Sequence, residues 1–151
     1  MLHVALWEPE IPPNTGNVAR LCAATGATLH LIGRLGFRTD DRRLRRAGLD
    51  YWDAVSVVRH DSLDAFRAAL ADARLWCLSA HAARPYTDAR FQDGDVLLFG
   101  SESRGLPPSL LEENPGQTLT IPMPAAKVRS LNLATAVGVV LYEALRQLHG
   151  W

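Results

Sequence analysis

In the stretch Asp95–Pro107, DVLLFGSESRGLP, an apolar run leads into a polar loop in which Gly100 and Gly105 bracket Ser101, Glu102, Ser103 and Arg104. Three chemistries use a loop of this kind. Ser103 resembles the nucleophile of a G-x-S-x-G turn, but Ser101 replaces the first glycine. The only histidine downstream is His149, so a Ser–acid–His order has little to draw on. An anion could rest on the loop amides with Arg104 adding charge, although neither G-x-x-x-x-G-K-[ST] nor G-x-G-x-x-G is present. The third chemistry is a cofactor gripped by backbone groups, where glycines allow close approach and little side-chain chemistry is needed. No metal is expected. His3, His30, His60, His81 and His149 are scattered, and Cys22 and Cys77 form no C-x-x-C pair.

The elements that must position this loop alternate. Apolar strand candidates are Leu2–Trp7, Thr28–Ile32, Ala54–Val58, Leu75–Ser79, Asp95–Phe99 and Thr118–Ile121. Helical patterns fall between them: one capped by Asn14 or Thr15 and running to Thr25, one over Leu63–Ala73, a short one opened by Pro107 and Pro108, and a long one over Ser130–Leu148. Strand alternating with helix predicts an α/β fold with a mostly parallel sheet and flanking helices, in which ligands sit beyond the carboxyl ends of the strands. Glu8–Arg20, Leu78–Pro85, Gly100–Ser109 and Ile121–Asn132 are the polar, Gly- and Pro-rich loops that follow strands.

The bulk numbers fit one domain spanning residues 1–151. Hydrophobic residues make up 48% and charged residues 21%, as in a globular protein, and the formal net charge is +0, so no global field draws in nucleic acid or membrane. No segment reaches membrane-spanning length, and MLHVALW reads as a strand rather than a secretory signal. Together with two buried free thiols expected at Cys22 and Cys77, this predicts a cytoplasmic protein.

Three segments, EPEIPPNTGNVARLCAATG, LLFGSESRGLP and IPM…RSLNLATAVGVVLYEALRQ, together resemble the three ordered motifs of the SPOUT class of RNA methyltransferases. Within that class the chain is most similar to the short tRNA (cytidine/uridine-2'-O-)-methyltransferases of the TrmL type. The resemblance covers nearly the whole chain, including DDRRLRRAGLDYWD. It implies a C-terminal deep trefoil knot, an exception to the usual absence of knots. It also implies a homodimer with sites completed across the interface, tRNA as substrate and S-adenosyl-L-methionine as methyl donor, with no metal. The product would be a pyrimidine methylated on its ribose 2'-OH at the wobble position. The alternative is a non-catalytic RNA-binding module of the same fold.

Carried onto this sequence, the resemblance implies donor contacts from Leu78, Gly100, Glu102, Gly105, Ile121, Met123 and Ser130. Arg20, Ser130 and Asn132 are the candidate catalytic residues. A guanidinium stays protonated, so Arg20 is expected to bind phosphate or stabilise a developing alkoxide rather than accept a proton. Asn14, Arg20, Arg42, Arg46 and Tyr142 are the candidate substrate contacts. For Asn14, Ser130 and Asn132 a helix cap is the competing role, and for Glu102 it is fixing its own loop by accepting amide hydrogen bonds. Arg34, Arg38, Arg42, Arg43, Arg45 and Arg46 form a basic cluster suited to RNA phosphates, diluted by Asp40, Asp41, Asp50 and Asp53. The segment Pro124–Ser130, PAAKVRS, is longer and more basic than the corresponding family loop.

Overall fold

The first strand, β1 (His3–Trp7), carries side chains to both faces of a sheet: Val4 and Leu6 enter one apolar cluster and Ala5 the other. A strand buried on both sides must lie in the sheet interior, and β1 is hydrogen-bonded on both edges. The computed structural model describes residues 1–151, apart from the side chains of residues 48–50. Six further strands follow: β2 (Thr28–Ile32), β3 (Val57–His60), β4 (Leu75–Leu78), β5 (Arg84–Pro85), β6 (Val96–Phe99) and β7 (Thr118–Thr120). They form a seven-stranded sheet in the order β3-β2-β1-β6-β4-β7-β5. Every pairing between these strands is parallel, with Leu6 opposite both Leu31 and Phe99.

Helices cover both faces. Helix α1 (Pro12–Thr25) and the C-terminal α5 (Leu133–His149) pack one side through Val18, Cys22, Val137 and Leu141. Helices α3 (Leu63–Ala69) and α4 (Pro108–Glu113) cover the other through Phe66 and Leu110. The short α2 (Arg42–Gly48) packs on α1 through the buried Leu44. Cys22 and Cys77 are free and buried, and burial pushes both thiols up to about 12.

Several local expectations are corrected. Helix α1 begins at Pro12, with Ile11 as its N-cap, so Asn14 and Thr15 lie inside the first turns instead of capping. Pro12 and Pro13 suit that start because the first helical amides have no acceptor within the helix. Strand β3 sits three residues later than expected, because Leu49–Ala54 closes into a 3-10 turn. Helix α3 stops at Ala69, and Ser62 caps it by accepting from Ala65 N at 3.0 Å. Helix α5 starts at Leu133, capped by Asn132 accepting from Thr135 N at 3.2 Å; Ser130 lies before it.

Candidate functional site

At the carboxyl ends of β4, β6 and β7 the chain opens a cleft of about 690 Å³. This is where an open parallel sheet places its ligands, beside the strands at which connections change direction. Leu78, Gly100, Glu102, Gly105, Ile121, Met123 and Ser130 all line it, as do Asn14 and Asn132. Its size falls within the range of small-molecule sites. His81, Ser101, Arg104 and Arg129 also line it and were not singled out by the sequence as donor contacts.

Two loops form one wall by gripping each other. The Glu102 carboxylate accepts from Glu10 N and Ile11 N, both at 2.9 Å, and from Asn14 Nδ2 at 3.2 Å. In return, Glu10 Oε1 accepts from Ser103 N at 2.9 Å and from Ser103 Oγ at 2.6 Å. The Ser103 hydroxyl, followed by its amide, holds the Glu10 carboxyl below the usual carboxylate range. Arg104 reaches Glu8 Oε1 at 3.0 Å and lies over the Trp7 ring at 4.9 Å. Glu8 holds a left-handed φ of 46°, stabilised by its amide bond to Ile32 O and by this ion pair. These partners are more than 85 residues apart, and no local sequence pattern announces Glu8 or Glu10.

The third loop joins through Asn14. Its Oδ1 accepts from Asn132 Nδ2 at 3.0 Å while its Nδ2 donates to Glu102. Asn14 is buried, so both ends of its amide are spent on protein. The chain of bonds Glu102–Asn14–Asn132–Thr135 N thus ties the loop after β6, the start of α1 and the cap of α5 together. Glu102 and Asn132 are thereby positioning groups, and the carboxylate of Glu102 is directed to the loop after β1.

The glycines of the loop after β6 have different reasons. A Cβ at Gly100 would fall on the backbone of Gly105 and Leu106, so this glycine is needed to close the loop, which the Ser101–Gly105 bridge seals. Gly105 has φ 68° and open space where a Cβ would stand. Ser101 is buried on the cleft wall, and its hydroxyl has no hydrogen-bond partner of acceptable geometry.

The nucleophile reading of Ser103 fails here, because its hydroxyl donates to Glu10. Four substrate candidates lie away from the cleft. Arg20 is exposed on α1 with its guanidinium 5.5 Å from the Tyr51 ring centroid. Arg42 and Arg46 are exposed on α2. Tyr142 is exposed on α5. The basic cluster is partly neutralised, with Arg38 paired to Asp40, Arg43 to Asp41 and Arg45 to Asp53. Among the described residues no group of three or more His, Cys, Asp and Glu side chains is placed to hold a metal. No helix is long and apolar enough to cross a membrane.

Comparison with known proteins agrees with this geometry. Residues 1–142 match the model of the SpoU rRNA methylase family. The chain is 52% identical over 149 residues to a tRNA (cytidine(34)-2'-O)-methyltransferase of Escherichia coli, covering 98% of this chain and 94% of that one. A solved structure described as giving insight into the 2-OH methylation of C/U34 on tRNA superposes with a TM-score of 0.95 at 56% identity, covering 100% of this chain and 98% of the other. The SpoU methyltransferase AviRb of Streptomyces viridochromogenes, in complex with the cofactor AdoMet, superposes with a TM-score of 0.85 at 29% identity, covering 100% of this chain and 62% of that one. With its parallel sheet, its cleft at the strand ends and these matches along nearly its whole length, the chain belongs to the SpoU methylase family.

Proposed function

We propose that this protein is a tRNA methyltransferase that moves a methyl group from S-adenosylmethionine to the ribose 2'-oxygen of the pyrimidine at position 34, the wobble position. The observation that carries the reading is the cleft itself, walled by the three motif loops and locked by Glu102, Asn14 and Asn132. The relatives that share nearly the full length carry this activity in their names.

The residues present fit the donor. The cleft is large enough, backbone segments of three loops line it, and the unpartnered Ser101 hydroxyl offers a polar contact on its wall. Leu78, Gly105, Ile121, Met123 and Ser130 are the donor contacts in this reading. When bound, S-adenosylmethionine supplies an electrophilic methyl group on its sulfonium sulfur. The protein must hold the 2'-oxygen in line with that methyl, so positioning supplies much of the rate. Ser130, exposed at the cleft, is placed to touch donor or ribose.

Arg20 stabilises the developing alkoxide or an adjacent phosphate, and it does so in the partner's site. The support is its position: it is exposed and outside its own chain's cleft. The same reading makes the enzyme a homodimer. Tyr142 and Leu148, exposed on an otherwise apolar α5, supply surface for a symmetric partner. It takes residues 1–151 as one methyltransferase domain working in the cytoplasm beside its tRNA. It also threads the C-terminal segment into a trefoil knot, supported by the insertion of β7 between β4 and β5 and the return of Asn132 to Asn14.

Incubation with tRNA and labelled S-adenosylmethionine, followed by nucleoside analysis, tests the reading. The expected product is 2'-O-methylcytidine or 2'-O-methyluridine at position 34. Donor binding without methyl transfer to any tRNA would overturn it in favour of an RNA-binding module.

A further inference from the structure

A second concavity, of about 500 Å³, opens beyond the ends of β2 and β3, lined by Arg34, Arg38 and Arg59 with Phe37 and Asp40. Arg38 is engaged with Asp40 through Nε at 3.1 Å and Nη2 at 3.4 Å. Among the described residues, Arg34 and Arg59 form no ion pair, and both are exposed. Three guanidinium groups against one carboxylate leave the cleft positive in a chain whose net charge is +0. Arg59 is 25 residues from Arg34, on another strand, so the sequence cluster does not contain the pair that the fold assembles.

Position gives this cleft its meaning. The sheet is parallel, so the ends of β2 and β3 lie on the same edge as the ends of β4 and β6 that line the donor cleft. Strands β2 and β3 are two and three places from β6, which corresponds to roughly 10–15 Å at the usual inter-strand spacing. One loop forms the divider. Its arginine side is held by Gly36 N to Pro9 O at 2.9 Å and Arg34 N to Glu8 Oε2 at 3.3 Å. Its donor side is held by Glu102 and Arg104. The spacing between the two clefts is therefore fixed by hydrogen bonds on both faces of the divider.

We propose that the Arg34–Arg38–Arg59 cleft binds a backbone phosphate of the tRNA strand a short distance from the nucleotide being methylated. The proposal rests on the tRNA methyltransferase reading above. Planar guanidinium groups match phosphate oxygens in bidentate fashion. A phosphate contact fixes the register of the strand without reading its bases, so the cleft contributes affinity and placement, not the choice of nucleotide.

The test uses the full chain with Arg34→Gln and Arg59→Gln combined, and the Arg59→Gln single variant beside it. Both side chains are exposed, so melting temperature and S-adenosylmethionine affinity are expected to match the wild type. The dissociation constant for tRNA is expected to rise about tenfold or more near 0.1 M salt. The slope of log affinity against log salt should fall by roughly 1.5–2 for two lost phosphate contacts. Replacement of both by lysine should keep most of the slope. Wild-type tRNA affinity and slope in the double variant would overturn the inference, as would a parallel loss of donor binding. Inorganic phosphate titrated alone should show no saturable binding; micromolar binding lost in the variant would assign the cleft to a small anion instead. If the wild type transfers no methyl to tRNA, the functional reading fails; if it does and the variant binds tRNA normally, only the phosphate cleft fails.

Discussion

Asn132 Nδ2 donates to Asn14 Oδ1 at 3.0 Å, joining residues 118 positions apart at the mouth of the donor cleft. Asn132 also caps α5 with its own oxygen, so one side chain starts a helix and closes a site. The two tasks separate by substitution. Asn132→Asp keeps the capping acceptor but loses the donor to Asn14, and is expected to weaken S-adenosylmethionine binding with little loss of helix stability. Asn132→Ala loses both and should cost about 1 kcal/mol more in stability. A double-mutant cycle with Asn14→Ala, read by denaturant unfolding, should give a coupling energy on the order of 1 kcal/mol. Strict additivity would mean the bond contributes nothing.

The two loop glycines predict opposite behaviour. Gly100→Ala places a methyl group on the Gly105–Leu106 backbone and is expected to prevent folding of the loop, seen as a lowered melting temperature and lost donor binding together. Gly105→Ala meets no atom but is forced into the left-handed region, costing roughly 1–2 kcal/mol. That variant should stay folded while donor affinity falls. Equal stability for the two would contradict the loop geometry.

A row of imidazoles crosses the sheet: His3 Nδ1 lies 2.9 Å from His30 Nε2, and His30 Nδ1 lies 2.9 Å from His60 Nε2. Burial, with the neighbouring His3 and His60, lowers the pKa of His30 to about 4. Its unfolded value is near 6.5. Between these values the unfolded chain binds a proton that the folded one refuses, so stability is greatest above the upper value and falls as pH drops toward the lower one. Unfolding free energies measured from pH 7 to pH 4 should decline by on the order of 2–3 kcal/mol from this group. His30→Phe should flatten that part of the curve; an unchanged slope would show that His30 is not its source.

Arg20→Ala is expected to bind S-adenosylmethionine normally yet transfer methyl at least a hundredfold more slowly, because the lost group stabilises charge and grips no donor. Arg20→Lys should be little better, since a point charge does not replace a planar fork. Mixing the Arg20→Ala chain with a chain defective only in its own cleft should recover part of the activity, if the arginine works in the partner's site. Full activity in Arg20→Lys, rising with pH, would restore the proton-acceptor role.

The alternation of elements was legible because buried parallel strands are continuous apolar runs and the helices between them are periodic. Strand β5 was not. Arg84–Pro85 is two residues long, and its place is set by pairing with β7 rather than by its own pattern. Strand β3 slipped because Trp52 and Val55 look like strand residues but pack from a 3-10 turn and its exit. Around the cleft, the motif loops and their glycines were visible in the sequence. The side chains that fasten them were not, because Glu8, Glu10 and Arg59 acquire meaning only from partners distant in the chain. Arg42 and Arg46 were nominated by local charge density, which says nothing about which way a short helix faces.

The lock between the loops after β1 and β6 also orders events during synthesis. Glu10 and Glu102 exchange hydrogen bonds across 92 residues, and Asn14 waits for Asn132. Strand β1 cannot complete its pairing until β6 has been made. Closing such distant contacts costs chain entropy before any contact repays it, so this end of the sheet is a late and slow product of folding. A nascent chain emerging from the ribosome therefore has no partial donor site to offer. Occupancy by the methyl donor becomes a readout that the whole chain has arrived, and a fragment ending before Asn132 would be silent in that assay however much of its sheet had formed.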